Sequence, residues 1–359
     1  MKRSKTNIMK NDVKRMRMSD VAQALGLSRA TVSYVLNGKA VESNISEATV
    51  KRIEEMARKL HYVPNRSARS LMTRHSQTIG VLVGGVWGKF GQEILDGMQP
   101  VLDKRAYLPI VALHRWSEDR ERKEIQALLT MNVDGVIVQP HPTSRSELYQ
   151  PLIGAGVPVL FFGDAPKDMP EANVVAWDGL DAARAGVEYL ISIGRKRIAF
   201  AGQRYPFRHN EDRFAGYRQT LKKCKLPFKR DWVVWDEVTD VGESLLNGIL
   251  SRSGDERPDS IFAMNDSTGL QAIQQLLREG IRIPDDIAVL GLGDISETME
   301  FTAVLTNVRE PLAEMARQAA TGICDLIEQP GLPTIRRLVA GTELVKRCST
   351  EGGPRGLAR

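Results

Sequence analysis

The sequence contains no recognisable catalytic set. The glycine-rich run G-G-V-W-G-K-F (residues 84–90) is similar to a phosphate-binding loop. It has one residue too few between Gly84 and Gly88, however, and Phe90 stands where Ser or Thr would bind magnesium. No G-x-S-x-G nucleophile motif occurs, and the 5 histidines show no i, i+4 metal spacing. The sequence therefore argues against an enzyme and predicts no catalytic residue, metal site or cofactor.

Short polar side chains at the ends of predicted strands can bind a small hydroxylated molecule. Asn265 and Asp266 follow one such strand, and Asp294 follows another. Amides and carboxylates form hydrogen bonds with hydroxyl groups. Each residue alone more commonly caps a helix, whereas residues that converge on one cleft favour a sugar or polyol ligand.

The N-terminal region predicts a different chemistry, the reading of DNA bases. The stretch M-S-D-V-A-Q-A-L-G-L-S-R-A-T-V-S-Y-V-L-N-G (residues 18–38) predicts two short helices, capped by Ser19 and Ser28 and joined by a turn at a glycine. At the start of the second helix, Arg29 can bind guanine O6 and N7, and Ala30 can contact a thymine methyl. The pattern alone also fits an ordinary helical hairpin. The candidate DNA-contacting residues are Ser28, Arg29, Ala30, Thr31, Ser33, Tyr34 and Asn37.

A third helix, capped by Ser46, completes a predicted helix-turn-helix domain over residues 18–60. Residues 1–17 are predicted to be a basic flexible tail. They are either an arm that touches phosphates or, as we favour, a solvated tail or residues upstream of the native start.

Residues 61–77 are predicted to be a hinge. Pro64 prevents the third helix from continuing, and Asn65 can cap a short helix. Arg66 and Arg69 lie beside the apolar Leu71, a combination that suits insertion into the minor groove, where a leucine unstacks a base step. The alternative is a plain linker with Leu71 packed on the next domain.

Charge is unevenly distributed along the 359 residues. Residues 1–75 contain 16 Lys and Arg against 6 Asp and Glu, which gives +10, whereas the whole chain carries +6. A basic end on a mildly acidic body indicates a polyanionic partner for that end. The 3 widely spaced cysteines fit neither a disulfide framework nor a zinc site, and no membrane-length apolar run or signal peptide is visible. These features predict a cytoplasmic protein with no membrane partner.

From Thr78 onward, short β-rich runs alternate with helical segments, which predicts parallel sheets covered by helices. One sheet of this length is improbable, so we expect two α/β lobes. The predicted strands are 79–83, 109–113, 135–138, 158–162, 198–201, 233–235, 260–263 and 287–290. The predicted helices are 93–104, 118–131, 181–193, 213–224, 270–279 and 311–327.

Several motifs, taken in order, resemble the lactose-repressor/galactose-repressor (LacI/GalR) family of bacterial transcription regulators. They are A-T-V-S-Y-V-L-N-G, I-S-E-A-T, Y-V-P-N-R-S-A-R-S-L, R-F-A-G-Y, N-D and E-L-V-K-R-C-S. The resemblance covers nearly the whole chain after residue 17. It implies an all-α helix-turn-helix headpiece followed by a two-lobed core like that of periplasmic binding proteins, with three crossovers near 175–179, 305–308 and 333–336. The core is then 78–350, with lobe 1 at about 78–175 and 308–333, lobe 2 at about 178–305 and 336–350, and a tail at 351–359.

The resemblance also assigns roles to residues. Leu71 matches the family's hinge leucine, and Ala68 matches a small residue of its hinge helix pair. Phe90 matches an aromatic residue that covers a sugar, and Arg213 matches the arginine that clamps effector hydroxyls or carboxylates. The candidate hinge contacts are Asn65, Arg66, Ala68, Arg69 and Leu71, and the candidate effector contacts are Phe90, Lys89, Asp164, Arg213, Asn265, Asp266 and Asp294.

Three positions depart from the family pattern. Tyr34 stands where the family commonly has Arg, so we expect an altered operator base pair at that position. Gly88-Lys89 replaces a frequent Asn-Pro, and Gly293 replaces a common sugar-binding Asp. The added cation and missing carboxylate favour an anionic sugar, such as a sugar acid, unless Lys89 points to water.

The sequence thus predicts a homodimeric, nucleoid-associated regulator, most simply a repressor, that binds a near-palindromic double-stranded operator and a sugar or sugar-acid effector. A solute-binding module is the main alternative, and the missing signal peptide and basic N-terminal end argue against it. A sugar-modifying enzyme would need a catalytic set. The sequence leaves open whether the effector releases DNA or strengthens its binding.

Overall fold

A computed structural model describes residues 16–38, 40–63, 75–86, 88–203, 208–236, 246–250, 254–294 and 304–351. The chain divides into two compact units, Met1–Ser76 and Gln77–Arg359. The predicted hinge residues Asn65, Arg66, Ala68, Arg69 and Leu71 lie outside the described residues, as does most of the predicted N-terminal tail.

The described residues of the N-terminal unit form three helices around one small core. They are α1 (Met18–Leu25), α2 (Arg29–Leu36) and α3 (Glu47–Lys59). Val21, Val32 and Ile53, one from each helix, are fully buried and hold the helices together. Three packed helices of this length stabilise one another, whereas each alone would be marginal.

The helix ends in this unit follow from local side chains, with one correction. The hydroxyl of Ser46 accepts a hydrogen bond from the Thr49 backbone N–H, as predicted. The predicted Ser19 cap is wrong, because α1 already begins at Met18. Instead, the Asp20 carboxylate accepts a hydrogen bond from the Arg17 backbone N–H at 2.7 Å. A carboxylate in the first turn is also favoured by the helix dipole.

The described strands of the second unit form two six-stranded sheets. The first sheet has the order β11-β5-β4-β3-β1-β2, and the second has the order β12-β10-β9-β8-β6-β7. All pairings are parallel except that of β10 with β12. The strands are β1 (Thr78–Val83), β2 (Leu108–Leu113), β3 (Gly135–Val138), β4 (Val159–Phe162), β5 (Val174–Trp177), β6 (Ile198–Gln203), β7 (Val233–Asp236), β8 (Ser260–Ala263), β9 (Ala288–Gly293), β10 (Thr306–Arg309), β11 (Arg336–Val339) and β12 (Leu344–Val345).

Helices pack on the sheets and define two lobes. In the first lobe, α4 packs on α11, and in the second, α7 packs on α8. The helices are α4 (Gly88–Lys104), α5 (Glu118–Thr130), α6 (Ser146–Gly154), α7 (Gly179–Ser192), α8 (Arg208–Lys223), α9 (Asn247–Leu250), α10 (Asp266–Arg278), α11 (Leu312–Glu328) and α12 (Cys348–Glu351). None of the described helices is long and apolar enough to cross a membrane.

The described chain passes between the sheets three times, as predicted, but two crossovers lie later than expected. Strand β10 lies in the second sheet up to Arg309, so the second crossover follows it and not 305–308. Strand β11 pairs in parallel with β5 of the first sheet, although 336–350 was assigned to lobe 2. Without β11, the backbone groups along that side of β5 would be unpaired. The Asn173 side chain also anchors β11 by accepting a hydrogen bond from the Ile335 N–H at 2.9 Å.

Candidate DNA-reading helix and effector cleft

Helix α2 presents one polar face to solvent. Arg29, Ala30 and Tyr34 are exposed, with 46% of Tyr34 accessible, whereas Val32 and Val35 are buried. Side chains three or four positions apart share a helix face, so Ala30 and Tyr34 can contact one surface together. This exposed face has the composition and placement of a recognition helix.

Four other candidates on or next to this helix form two hydrogen-bonded pairs, one at each end. The Ser28 hydroxyl accepts from the Thr31 backbone N–H at 3.0 Å and lies 2.9 Å from the Thr31 hydroxyl. At the other end, the Asn37 amide donates to the Ser33 hydroxyl at 3.1 Å. These bonds fix both ends of α2. The side chains of Arg29, Ala30 and Tyr34 take no part in them.

In the second unit, the R-F-A-G-Y motif places Arg213 between the lobes. Gly216 lets α8 approach α7 closely, because a Cβ at that position would lie 2.5 Å from the Leu180 carbonyl oxygen. The Tyr217 hydroxyl donates to the Ile198 carbonyl of β6 at 2.8 Å. Helix α8 is therefore held firmly against its own lobe, and Arg213 starts from a fixed backbone.

The Arg213 guanidinium is buried and surrounded by specific partners. Its Nη1 donates to the Met264 carbonyl at 3.0 Å, and its Cζ lies 5.2 Å from the centre of the Trp177 ring. Its Nη2 lies 3.8 Å from Glu310 Oε2. Its Nε is buried without a hydrogen-bond partner in the structure. Burial raises the pKa of Glu310, and the positive charge of Arg213 opposes that rise.

Asp164 joins the two lobes through His209. Asp164 follows β4 of the first lobe, and its Oδ2 lies 2.6 Å from His209 Nδ1 at the start of α8. Burial alone would raise the pKa of Asp164, but the hydrogen bond and charge of His209 outweigh it and lower that pKa. On the same side of the molecule, Lys167 and Glu211 form a second ion pair between the lobes at 2.8 Å.

Asn265 and Asp266 lie together at the carboxyl edge of the second sheet and have local roles there. Asn265 caps α10 by accepting from the Thr268 N–H at 2.9 Å, and its amide donates to Gln203 Oε1 at 3.2 Å. Asp266 Oδ1 accepts from the Asp294 backbone N–H at 3.1 Å. These bonds draw the ends of β6, β8 and β9 into one polar cluster.

Asp294 and Lys89 contact each other directly. The Asp294 carboxylate, 2% exposed, is held by Arg309 and Arg347 at 2.8 and 2.7 Å. From the first lobe, Lys89 Nζ reaches the same carboxylate at 3.2 Å, and Glu93 lies 3.6 Å from that Nζ. Burial alone would raise the pKa of Asp294, but the two arginines and the lysine lower it. The Lys89 ammonium is therefore paired with protein carboxylates in this structure.

The structure adds three residues to the predicted effector contacts. It places Phe90, one of the predicted contacts, at the border of the site. Trp177 ends β5, Glu310 follows β10, and His209 lies in the first turn of α8. All three lie at the same cleft. Trp177 and Glu310 are detectable in the sequence only once β5 and β10 are recognised, and neither strand is among those predicted. His209 lies before the predicted helix start at Arg213. Phe90 is half-buried and packs against the main hydrophobic core.

Comparison with known proteins agrees with both units. Residues 17–65 match the family model described as bacterial regulatory proteins of the lacI family, and residues 187–350 match a periplasmic binding protein-like domain. The HTH-type transcriptional regulator CelR of Thermobifida fusca is 31% identical over 336 residues, covering 91% of this chain and 96% of CelR. The chain belongs to the lacI family.

Other relatives and structures place this lacI-family chain among DNA-binding transcriptional regulators rather than enzymes. The ribose operon repressor of Escherichia coli K12 is 28% identical, covering 88% of this chain and 94% of that repressor. A CelR–cellobiose complex superposes with a TM-score of 0.65 at 27% identity, covering 93% of this chain and 99% of that one. A lac repressor dimer bound to operator and the anti-inducer ONPF gives a TM-score of 0.75 at 24% identity, with 94% and 99% coverage, and shows the shared fold.

Proposed function

We propose that this lacI-family regulator is a homodimeric repressor whose affinity for a near-palindromic operator is controlled by a saccharide bound between the lobes. Arg29, Ala30 and Tyr34 would read bases, and the predicted hinge residues would enter the minor groove. Two-fold symmetry of the dimer would match the symmetry of the operator. A protein that acts on operator DNA in this way works at the bacterial nucleoid, in the cytoplasm.

The observation that carries the proposed effector site is the buried Arg213, whose guanidinium lies beside Glu310 and Trp177 where the two lobes meet. Ligands in α/β folds bind beyond the carboxyl ends of strands, where Trp177, Glu310 and Asn265 also lie. Hydroxyl groups can both donate to carboxylates and accept from a guanidinium, so a saccharide can satisfy these groups together. The cellobiose complex of CelR, a relative of this chain, supports a saccharide as the ligand class.

The test is Arg213→Ala in the full-length protein, followed by footprinting on the DNA upstream of its own gene with a panel of sugars and sugar acids. We expect operator binding within about threefold of wild type and no response to effector. Leaving ligand groups unpaired costs about 1–3 kcal/mol for each neutral group and more for charged groups.

The matched control is Arg218→Ala, an exposed arginine five residues along the same helix. It should respond to effector as wild type does. A wild-type response in Arg213→Ala would place the effector site elsewhere, and a wild-type protein with no footprint would favour the solute-binding alternative.

A further inference from the structure

We propose that Glu310 selects the charge of the effector, admitting neutral saccharides and excluding those that carry a carboxylate. The proposal rests on the proposed function, because it concerns the same cleft. Glu310 directly follows β10, where the chain leaves the second lobe for the first. Its backbone N–H donates to the Gly293 carbonyl at 2.8 Å, which fixes its position beside the end of β9.

Glu310 lies beside Arg213, the buried cation of the cleft, and can balance its charge. Arg213 Nη2 lies 3.8 Å from Glu310 Oε2, and the two side chains are 9% and 15% exposed. In such a shielded place, charges interact more strongly than they do in water. A ligand carboxylate that approaches Arg213 would therefore be repelled by a second carboxylate at nearly the same distance.

Several groups act on the ionisation of Glu310. Burial is the largest influence and raises its pKa, Arg213 and His209 oppose that rise, and Asp164 and Glu93 add to it. Three further cations of the described residues, Lys89, Arg309 and Arg347, are paired with Asp294 at 3.2, 2.8 and 2.7 Å. Within the part of the chain that the structure describes, the arginines and the lysine near Glu310 are therefore already paired with protein carboxylates.

A neutral hydroxyl fits both members of the Arg213–Glu310 pair. It can donate to the Glu310 carboxylate and accept from the Arg213 guanidinium, so no charge is left uncompensated. An anionic group can only accept, and it would leave Glu310 without a donor. Glu310, which lies far from Lys89 in the sequence, therefore disfavours the sugar acid that Lys89 predicts as effector.

The experiment titrates full-length wild-type protein and Glu310→Gln with matched ligand pairs by calorimetry at constant ionic strength. The pairs are galactose with galacturonate, glucose with glucuronate, and cellobiose with cellobionate. We expect wild type to prefer the neutral member of the bound pair at least tenfold. Glutamine keeps the size of the side chain and removes its charge. The ratio of the affinities for the neutral and the acidic sugar should therefore be at least tenfold smaller in Glu310→Gln than in wild type.

Two controls separate a charge effect from a structural one. Glu310→Asp retains the charge and should retain the preference for the neutral sugar. Glu343→Gln removes an exposed carboxylate that is paired with Arg309, and it should leave the preference unchanged. A wild-type preference for the acid, or an equal preference in wild type and Glu310→Gln, would overturn the proposal.

A second measurement needs no knowledge of the correct sugar. Replacing chloride by acetate at constant ionic strength should raise the Tm of Glu310→Gln, whose Arg213 is free to bind a small carboxylate, but not that of wild type. Equal responses of the two proteins would contradict the role of Glu310. A charge preference without any effect of bound sugar on the operator footprint would instead refute the proposed function and leave the Glu310 assignment standing.

Discussion

The candidate DNA-reading helix and the candidate effector cleft use charged residues in opposite ways. On α2, Arg29 is exposed and lies within ten residues of every other candidate on that helix. In the cleft, Arg213 and Asp294 are buried, and their partners come from sequence positions as far apart as Lys89 and Arg347. An exposed cation keeps its charge available for a polyanion, whereas a buried, paired cation serves mainly to position hydrogen bonds.

An excess of charged residues in the sequence therefore indicates a binding partner only where those residues are exposed. The excess of basic residues in the N-terminal region agrees with membership of a DNA-binding family. The same argument applied to Lys89 led to an anionic effector, but the structure pairs that ammonium with Asp294 and Glu93. The predictions below test this contrast.

The largest expected effect is the response to salt. Operator affinity should fall by about 10³-fold between 50 and 200 mM salt if the dimer neutralises about six phosphates, because each neutralised phosphate releases counterions. Saccharide affinity should change less than threefold over the same range, since its contacts involve buried pairs. Fluorescence anisotropy and calorimetry on the same preparation measure the two. An operator affinity that does not change with salt would contradict the proposed role of the exposed cations in binding DNA.

Next in size is the loss of the buried carboxylate at Asp294. Asp294→Asn leaves Arg309, Arg347 and Lys89 without their shared anion, which should lower the free energy of unfolding by about 3 kcal/mol. Urea denaturation of the full chain measures this loss. Asp286→Asn removes an exposed i, i+4 pair with Arg282 and should cost about 0.5 kcal/mol or less.

The effect of Asp294 also has a predicted pH dependence. Because its folded pKa is lowered, its stabilisation is complete above the unfolded value of 3.8 and is lost as the pH falls through the folded pKa. The difference in unfolding free energy between wild type and Asp294→Asn should therefore shrink below about pH 4. A difference that stays constant down to pH 2 would show that the charge of Asp294 is not the stabilising feature.

A smaller effect is expected from the base-reading side chains. Arg29→Ala should cost about 1–3 kcal/mol of operator binding and relax one base position. Tyr34→Arg should shift preference toward guanine at its own position, because a guanidinium can bind guanine bidentately and a phenol cannot. Selection from randomised half-sites on the three proteins checks both. Unaltered preferences would mean that these exposed side chains face phosphates.

The smallest effect separates a helix cap from a DNA contact. Ser28→Ala and Ser46→Ala should each lower the stability of the N-terminal unit by about 1 kcal/mol, because both hydroxyls accept from a first-turn N–H. Thermal unfolding measures this loss. Only Ser28→Ala should also weaken operator binding beyond the loss of folded protein, since Ser28 lies on the reading helix. Equal binding losses would make Ser28 purely a cap.

The sequence alone predicted the elements whose signals are local. The helices of the N-terminal unit, the Ser28 and Ser46 caps and the eight predicted strands follow from capping residues, apolar spacing and β-rich runs. The family and its two-part architecture were also recognisable, because motif order is a property of the chain. These features require only residues close together in the sequence.

Only the tertiary structure decided which lobe each late strand joins and which charges are already paired. Strand β11 is short and half-exposed, so its pattern carried little signal, and the open edge of β5 determined its sheet. Likewise, nothing local in the sequence connects Glu310 to Arg213, or Lys89 to Asp294. Such pairs form because folding brings the carboxyl ends of two sheets to one cleft, where buried charges must find partners.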